Sequence, residues 1–126
     1  MTKFNWPLMS NNINLGDKKA LIKFIKSSDN FTNGDKVKIF EKKWSKWLGV
    51  KYSTFVNSGA SANLITLKIL KELKKNKTEV IVPAFTWSSD IVSVINSGFK
   101  PIFIDINLEN LALNENLVKK KINKNN

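Results

Sequence analysis

The sequence of 126 residues contains no cysteine, no histidine and no arginine. Without cysteine or histidine there can be no Cys/His zinc site, no thiol nucleophile, no disulfide scaffold and no imidazole base. The lack of cysteine also fits a reducing compartment. No apolar run approaches the roughly 20 residues that cross a bilayer, so no membrane span is expected. Met1–Pro7 lacks the apolar stretch of a secretory leader. The expected location is the cytoplasm. Proline and glycine are sparse, at three and five residues, and no low-complexity linker divides the chain.

Charge is abundant but of one kind. All 21 basic residues are lysine, against 10 acidic ones, for a formal net charge of +11. Such an excess suits a nucleic acid or another acidic partner. Arginine, however, is the residue of choice for forked recognition of phosphate and guanine. Lysine, asparagine and isoleucine are all heavily used, as a biased nucleotide composition would produce. No nucleic-acid partner is expected, and a free-standing basic binding module is the minority alternative.

Along the chain, helix and strand patterns alternate. Asp17 can cap a short helix with Leu21, Ile22 and Ile25 on one face. Asp35 can cap a second, with Val37, Phe40, Trp44, Trp47 and Leu48 spaced by three and four, stopped by Gly49. Tyr52–Val56 reads as a strand, and a helix runs from about Ser61 to Lys74. Glu79–Val82 is a second strand, ended by Pro83. Thr86 or Ser88 can cap a helix that ends at Gly98. Pro101–Ile106 is a third strand, and a last helix covers roughly Asn116 to Asn123. The strands are continuous apolar runs, which predicts a parallel α/β sheet buried on both faces. Right-handed crossovers would bring the strands' C-terminal ends to one edge, where ligands of such sheets bind.

Three turns arrive at that edge. In Asn57-Ser-Gly-Ala-Ser61, Gly59 permits a tight turn and the amides that follow open a helix, a setting that suits an anion such as phosphate. It matches neither G-x-G-x-x-G nor the G-K-[ST] of a P-loop. A helix simply capped by Ser58 explains the same residues. Pro83-Ala-Phe-Thr-Trp87 delivers two aromatics. Trp87 offers a flat face for a planar ligand or belongs to the core; Phe85 is expected to pack inward. Asp105 ends a strand and suits a turn cap. Asp90 falls in a first helical turn, where the helix dipole accounts for it.

Taken in order, these stretches resemble the DegT/StrS-type family of sugar aminotransferases. The likeness is carried by Phe31-Thr-Asn-Gly34, Phe40-Glu-Lys-Lys-Trp44, Leu48-Gly-Val-Lys-Tyr52, Asn57-Ser-Gly-Ala-Ser-Ala-Asn-Leu64, Glu79-Val-Ile-Val-Pro-Ala-Phe-Thr-Trp87 and Ser97-Gly-Phe-Lys-Pro-Ile-Phe-Ile-Asp-Ile106. It runs from about Trp6 to Ile122. It implies the N-terminal part of a fold-type-I large domain, a three-layer α/β/α arrangement with a mostly parallel sheet, incomplete in this chain. Residues 1–126 are then one partial domain, with N-terminal helices to residue 49 and the start of the cofactor-binding α/β domain at 50–126.

The resemblance implies pyridoxal 5′-phosphate as cofactor. Its phosphate would lie on Gly59, Ala60 and Ser61 and its ring on Trp87. Thr32 and Gly34 are candidates for contact with substrate, and a simple loop connecting two helices explains Phe31–Gly34 equally well. The family commonly has Thr or Ser where Ala60 stands. A hydroxyl bond to a charged phosphate is worth about 1.5–3 kcal/mol, and Ser61 is expected to supply it instead. The implied substrates are a nucleotide-linked keto-sugar and an amino donor such as glutamate, and the implied assembly is a homodimer of full-length chains. The products would feed lipopolysaccharide or other glycan synthesis. The Ser-Ala-Asn-Leu64 run is similar to a dehydrase branch, in which His replaces the Schiff-base Lys. No lysine here sits in the family's Schiff-base motif, nor does an Asp match the one that holds the pyridinium. The stretch alone is therefore expected to be an inactive N-terminal piece. Tyr52–Val56 would lack its native sheet neighbour, and the stretch would be at best partly folded.

Overall fold

Asn14 opens the first helix, α1 (Leu15–Ser27), through a reciprocal capping box. Its side chain accepts from the Asp17 amide at 3.0 Å, and Asp17 Oδ2 accepts from the Asn14 amide at 2.9 Å. Asp17, expected as the cap, is thus the third helical residue, where a carboxylate answers both the cap and the helix dipole. The computed structural model describes residues 10–126. Met1–Pro7 and Trp6, read above for a leader and for the start of the family likeness, lie outside the described residues.

The second helix, α2 (Asp35–Leu48), has Gly34 as N-cap with no side-chain bond, so Asp35 is its first residue rather than its cap. It stops at Gly49, whose φ of 75° is the left-handed conformation expected of a C-terminal glycine. The apolar stripe forms an aromatic ladder. Phe40 stacks on Trp44 at 5.9 Å, Trp44 meets Trp47 at 4.9 Å, and Phe55 stands edge-on to Phe40 at 5.7 Å. These rings stay largely exposed.

The chain forms two units, one ending at Phe55 and one running Val56–Asn126. In the first, Ser45 is the buried residue among those described, and no described apolar side chain is buried. Tyr52–Val56 was expected to be a strand. It is extended but has no ladder partner among the described residues, and the Phe55 amide bonds the Glu41 carboxylate at 2.8 Å. A strand exists by pairing, and nothing pairs here.

In the second unit, α3 (Gly59–Leu73) begins two residues earlier than expected, capped by Ser58. Strand β1 (Glu79–Pro83) pairs in parallel with β2 (Lys100–Ile104), in the register Glu79↔Lys100 to Pro83↔Ile104. Between them α4 (Ser88–Asn96) packs on α3 and β2. It ends at Ser97, followed by Gly98 at φ 77°. β2 stops before Ile106, which instead bridges antiparallel to Leu113. The closing helix α5 (Glu115–Lys121) is capped by Asn114.

The core is small. Val82, Val94 and Phe99 pack together, flanked by Leu67, Val80 and Ile91, with Ile104 buried nearby in sequence on β2. The expectation of strands buried on both faces fails, because Phe103 on β2 is 54% exposed. A two-stranded ribbon leaves faces and edges that further strands or helices would otherwise cover. The α/β class and the parallel sheet are as expected.

Candidate functional site

The C-terminal end of β1 delivers the chain into the corner 84–87, tied to the neighbouring strand by a bond from the Ala84 amide to the Ile104 carbonyl at 2.8 Å. Trp87 is the N-cap residue of α4, without a side-chain cap. Neither Thr86 nor Ser88 caps the helix as expected; the Thr86 hydroxyl donates to Asp90 Oδ2 at 2.6 Å. Trp87 is 79% exposed and Phe85 74%. Phe85, expected inward, therefore faces out with Trp87. The tryptophan ring is free to stack on a planar group.

The second corner is the start of α3. In an α-helix the first amides have no intrahelical acceptor. Here the Ser61 amide is taken by Ser58 Oγ at 3.2 Å, and the Ala62 amide bonds the Ser58 carbonyl at 3.1 Å. The amides of Gly59 and Ala60 remain for a ligand. A methyl group placed on Gly59 would meet nothing within 4 Å, so the space over the turn is open. Ser61 Oγ donates to Asn57 Oδ1 at 2.6 Å and accepts from Ser58 Oγ at 3.1 Å. Two free amides, adjacent hydroxyls and the positive end of a fifteen-residue helix fit an anionic oxygen group.

The corners are linked. Asn63 Nδ2, on α3, donates to Asp90 Oδ1, on α4, at 2.8 Å, and the other oxygen of that carboxylate holds Thr86. Gly59, Ala60 and Ser61 thus share one end of the parallel unit with Trp87. Asn57, Asn63, Thr86 and Asp90 organise this end, and sequence reasoning had not assigned them this role. Asn57 stands just outside the helix, before the Ser58 cap, so its bond to Ser61 follows from the turn rather than from helical spacing. Asn63 and Asp90 lie 27 positions apart and carry no signal in the sequence.

Thr32 and Gly34 belong to the unit that ends at Phe55. The Thr32 amide donates to Asn30 Oδ1 at 3.1 Å, and Asn33 adopts a φ of 49°. Gly34 lines a cavity of about 560 Å³ with Phe24, Asn30 and Phe31; Thr32 is not among its lining residues. Asp105 Oδ1 accepts from the adjacent Ile106 amide at 2.8 Å, one residue short of the bond that closes an Asx turn. Among the described residues no helix is long and apolar enough to cross a membrane.

The unit is a parallel strand–helix–strand with open amides and an open aromatic ring at one end, the kind of edge at which ligands of parallel α/β sheets bind. Comparison with known proteins makes this more specific. Residues 13–126 match the DegT/DnrJ/EryC1/StrS aminotransferase family, and the chain belongs to that family. It is 35% identical over 122 residues to a GDP-4-keto-6-deoxy-D-mannose 3-dehydratase of Yersinia pseudotuberculosis, covering 94% of this chain and 31% of that one. It is 30% identical over 118 residues to a GDP-perosamine synthase of Vibrio cholerae, covering 94% and 32%. Its fold matches a crystal structure of GDP-4-keto-6-deoxymannose-3-dehydratase with a trapped PLP-glutamate geminal diamine. That match has a TM-score of 0.83 and 31% identity, and covers 96% of this chain and 32% of that one. The chain spans about a third of the length of these relatives.

Proposed function

We propose that the chain supplies the phosphate and ring contacts of the pyridoxal 5′-phosphate site in a nucleotide-sugar aminotransferase. The enzyme would transfer an amino group from a donor such as glutamate to a nucleotide-linked keto-sugar, for polysaccharide, lipopolysaccharide or other glycan synthesis. It would work in the cytoplasm as a homodimer. The carrying observation is the pair of corners, open amides at Gly59–Ala60 and the open Trp87 ring, at one end of the parallel unit and tied together through Asp90. The PLP-containing dehydratase neighbour supports the choice of cofactor.

Each residue has a physical task. The Gly59 and Ala60 amides bind the phosphate oxygens, aided by the dipole of α3. Ser61 adds its hydroxyl when it releases Asn57. Trp87 stacks on the pyridine ring and shields one of its faces from water, an interaction worth about 0.5–1.5 kcal/mol beyond burial. The cofactor, when bound, supplies the electron sink for chemistry at carbon–nitrogen bonds. The N-terminal helices, to residue 49, precede the cofactor-binding part at 50–126. Thr32 and Gly34 contact the sugar substrate.

A second reading is favoured by the relatives. The 3-dehydratase match, at 35% identity, exceeds the GDP-perosamine synthase match, at 30%. The residue that separates the two chemistries, Lys or His, has no matching position in these 126 residues. An in-frame downstream Lys in a Ser-x-x-Lys-like setting supports aminotransfer, and a His there supports dehydration.

The site itself is tested by titrating the full-length enzyme with pyridoxal phosphate and with pyridoxal, following tryptophan fluorescence. Saturable quenching by the phosphate ester alone is expected. Trp87→Ala should weaken it by a factor of about 2–12. Equal binding of both compounds, or no effect of Trp87→Ala, would refute the assignment.

A further inference from the structure

We infer that Asp90 is a positioning residue that sets the spacing between the phosphate turn and the ring-stacking tryptophan; this rests on the cofactor site proposed above. Its carboxylate is the only described side chain hydrogen-bonded both to α3 and to the Trp87 corner. Oδ1 accepts from Asn63 Nδ2 at 2.8 Å, and Oδ2 accepts from Thr86 Oγ1 at 2.6 Å. Asn63 lies about one turn beyond the open amides of Gly59 and Ala60, and Thr86 immediately precedes Trp87.

Three features make the bridge stiff. Both bonds are charge-assisted, and such bonds are roughly twice as strong as neutral ones. Asp90 sits in the first turn of α4, where a carboxylate meets the positive end of the helix dipole. Its backbone is fixed as well, because the Asp90 amide donates to the Trp87 carbonyl at 3.0 Å. The carboxylate, the threonine and the tryptophan therefore close a small ring of bonds, and Asn63 anchors that ring to α3. Neither end of the bridge occupies the open amides or the Trp87 ring. Asp90 acts on a ligand only through them.

A ligand that touches both corners depends on the bridge, and a ligand that touches one does not. Pyridoxal phosphate needs the amides and the ring at a set separation. Inorganic phosphate needs the amides alone. The bridge thus contributes to the first affinity and leaves the second unchanged.

The test measures dissociation constants of both compounds for the full-length enzyme and for its Thr86→Val, Thr86→Ser and Asp90→Ala variants. Thr86→Val keeps the side-chain shape and removes one donor, so the fold is retained where Asp90→Ala could disturb it. Thr86→Val should weaken pyridoxal phosphate about five-fold. Asp90→Ala should weaken it further, Thr86→Ser should restore it, and inorganic phosphate should stay within about two-fold throughout. Parallel weakening of both compounds would show a structural role only and overturn the inference. Unchanged pyridoxal phosphate binding in Thr86→Val and Asp90→Ala would overturn it while leaving the cofactor site standing. A parent chain that does not prefer pyridoxal phosphate to inorganic phosphate would overturn both.

Discussion

Ser61 and Asn57 should move cofactor affinity in opposite directions. The Ser61 hydroxyl donates to Asn57 Oδ1 at 2.6 Å, so it must leave that acceptor before it can bond a phosphate oxygen. A hydrogen bond to a charged group contributes about 1.5–3 kcal/mol, and a neutral one about 0.5–1.5. The exchange therefore nets about 1 kcal/mol, a factor of five in affinity. Ser61→Ala should weaken pyridoxal phosphate by that factor. Asn57→Ala removes the competing acceptor and should tighten binding to a similar extent. The cap itself survives, because Ser58 Oγ still holds the Ser61 amide. In the double variant the benefit of Asn57→Ala should vanish, since the hydroxyl it frees is gone. Equilibrium titration at neutral pH, read by tryptophan quenching, measures all four proteins. Weaker or unchanged binding in Asn57→Ala would refute the reasoning, and so would an unchanged value for Ser61→Ala.

Other outcomes follow from the packing. Phe99→Ala should cost about 3–5 kcal/mol, because Phe99 belongs to the small core and lies under Lys71 Nζ at 4.5 Å; loss of far-UV helical signal at moderate urea checks it. Gly49→Ala should destabilise the unit ending at Phe55 by about 1–2 kcal/mol, since its φ of 75° is left-handed and crowds a Cβ, and a urea titration reads it. Asn14→Ala should lower the helicity of α1 at a cost of about 1 kcal/mol, seen by circular dichroism. The isolated 126-residue chain should unfold gradually on heating and bind a hydrophobic dye at room temperature; a sharp cooperative transition without dye binding would contradict the small core described above.

Local signals in the sequence reported local structure well. Gly49 and Gly98 stop their helices as expected, and Ser58 caps α3, because each acts within a turn of its own position. The strand pair β1–β2 was legible from two apolar runs around a helix-sized segment. What failed depended on neighbours. Tyr52–Val56 has strand composition, but pairing needs a partner that the pattern of one segment cannot supply. Phe85 has core chemistry, yet it stands 74% exposed. Asn14 was missed because Asp17, an equally good cap by type, stood three residues on, and only the reciprocal box shows which residue holds which role. At the site, the family motifs located both corners. The Asn63–Asp90 bond that joins them spans two helices and is visible only in three dimensions.

The contrast between β1–α4–β2 and Tyr52–Val56 bears on the order of events during synthesis. The parallel pair and its crossover are contiguous, so their contacts close short loops and can form soon after Ile104 leaves the ribosome. Tyr52–Val56 emerges earlier yet finds no strand beside it among the described residues. The first-made stretch of sheet-like sequence would then be a late one to settle, and the nascent-chain lengths at which Ile104 has just cleared the ribosome are where protease protection of β1 and β2 should first appear.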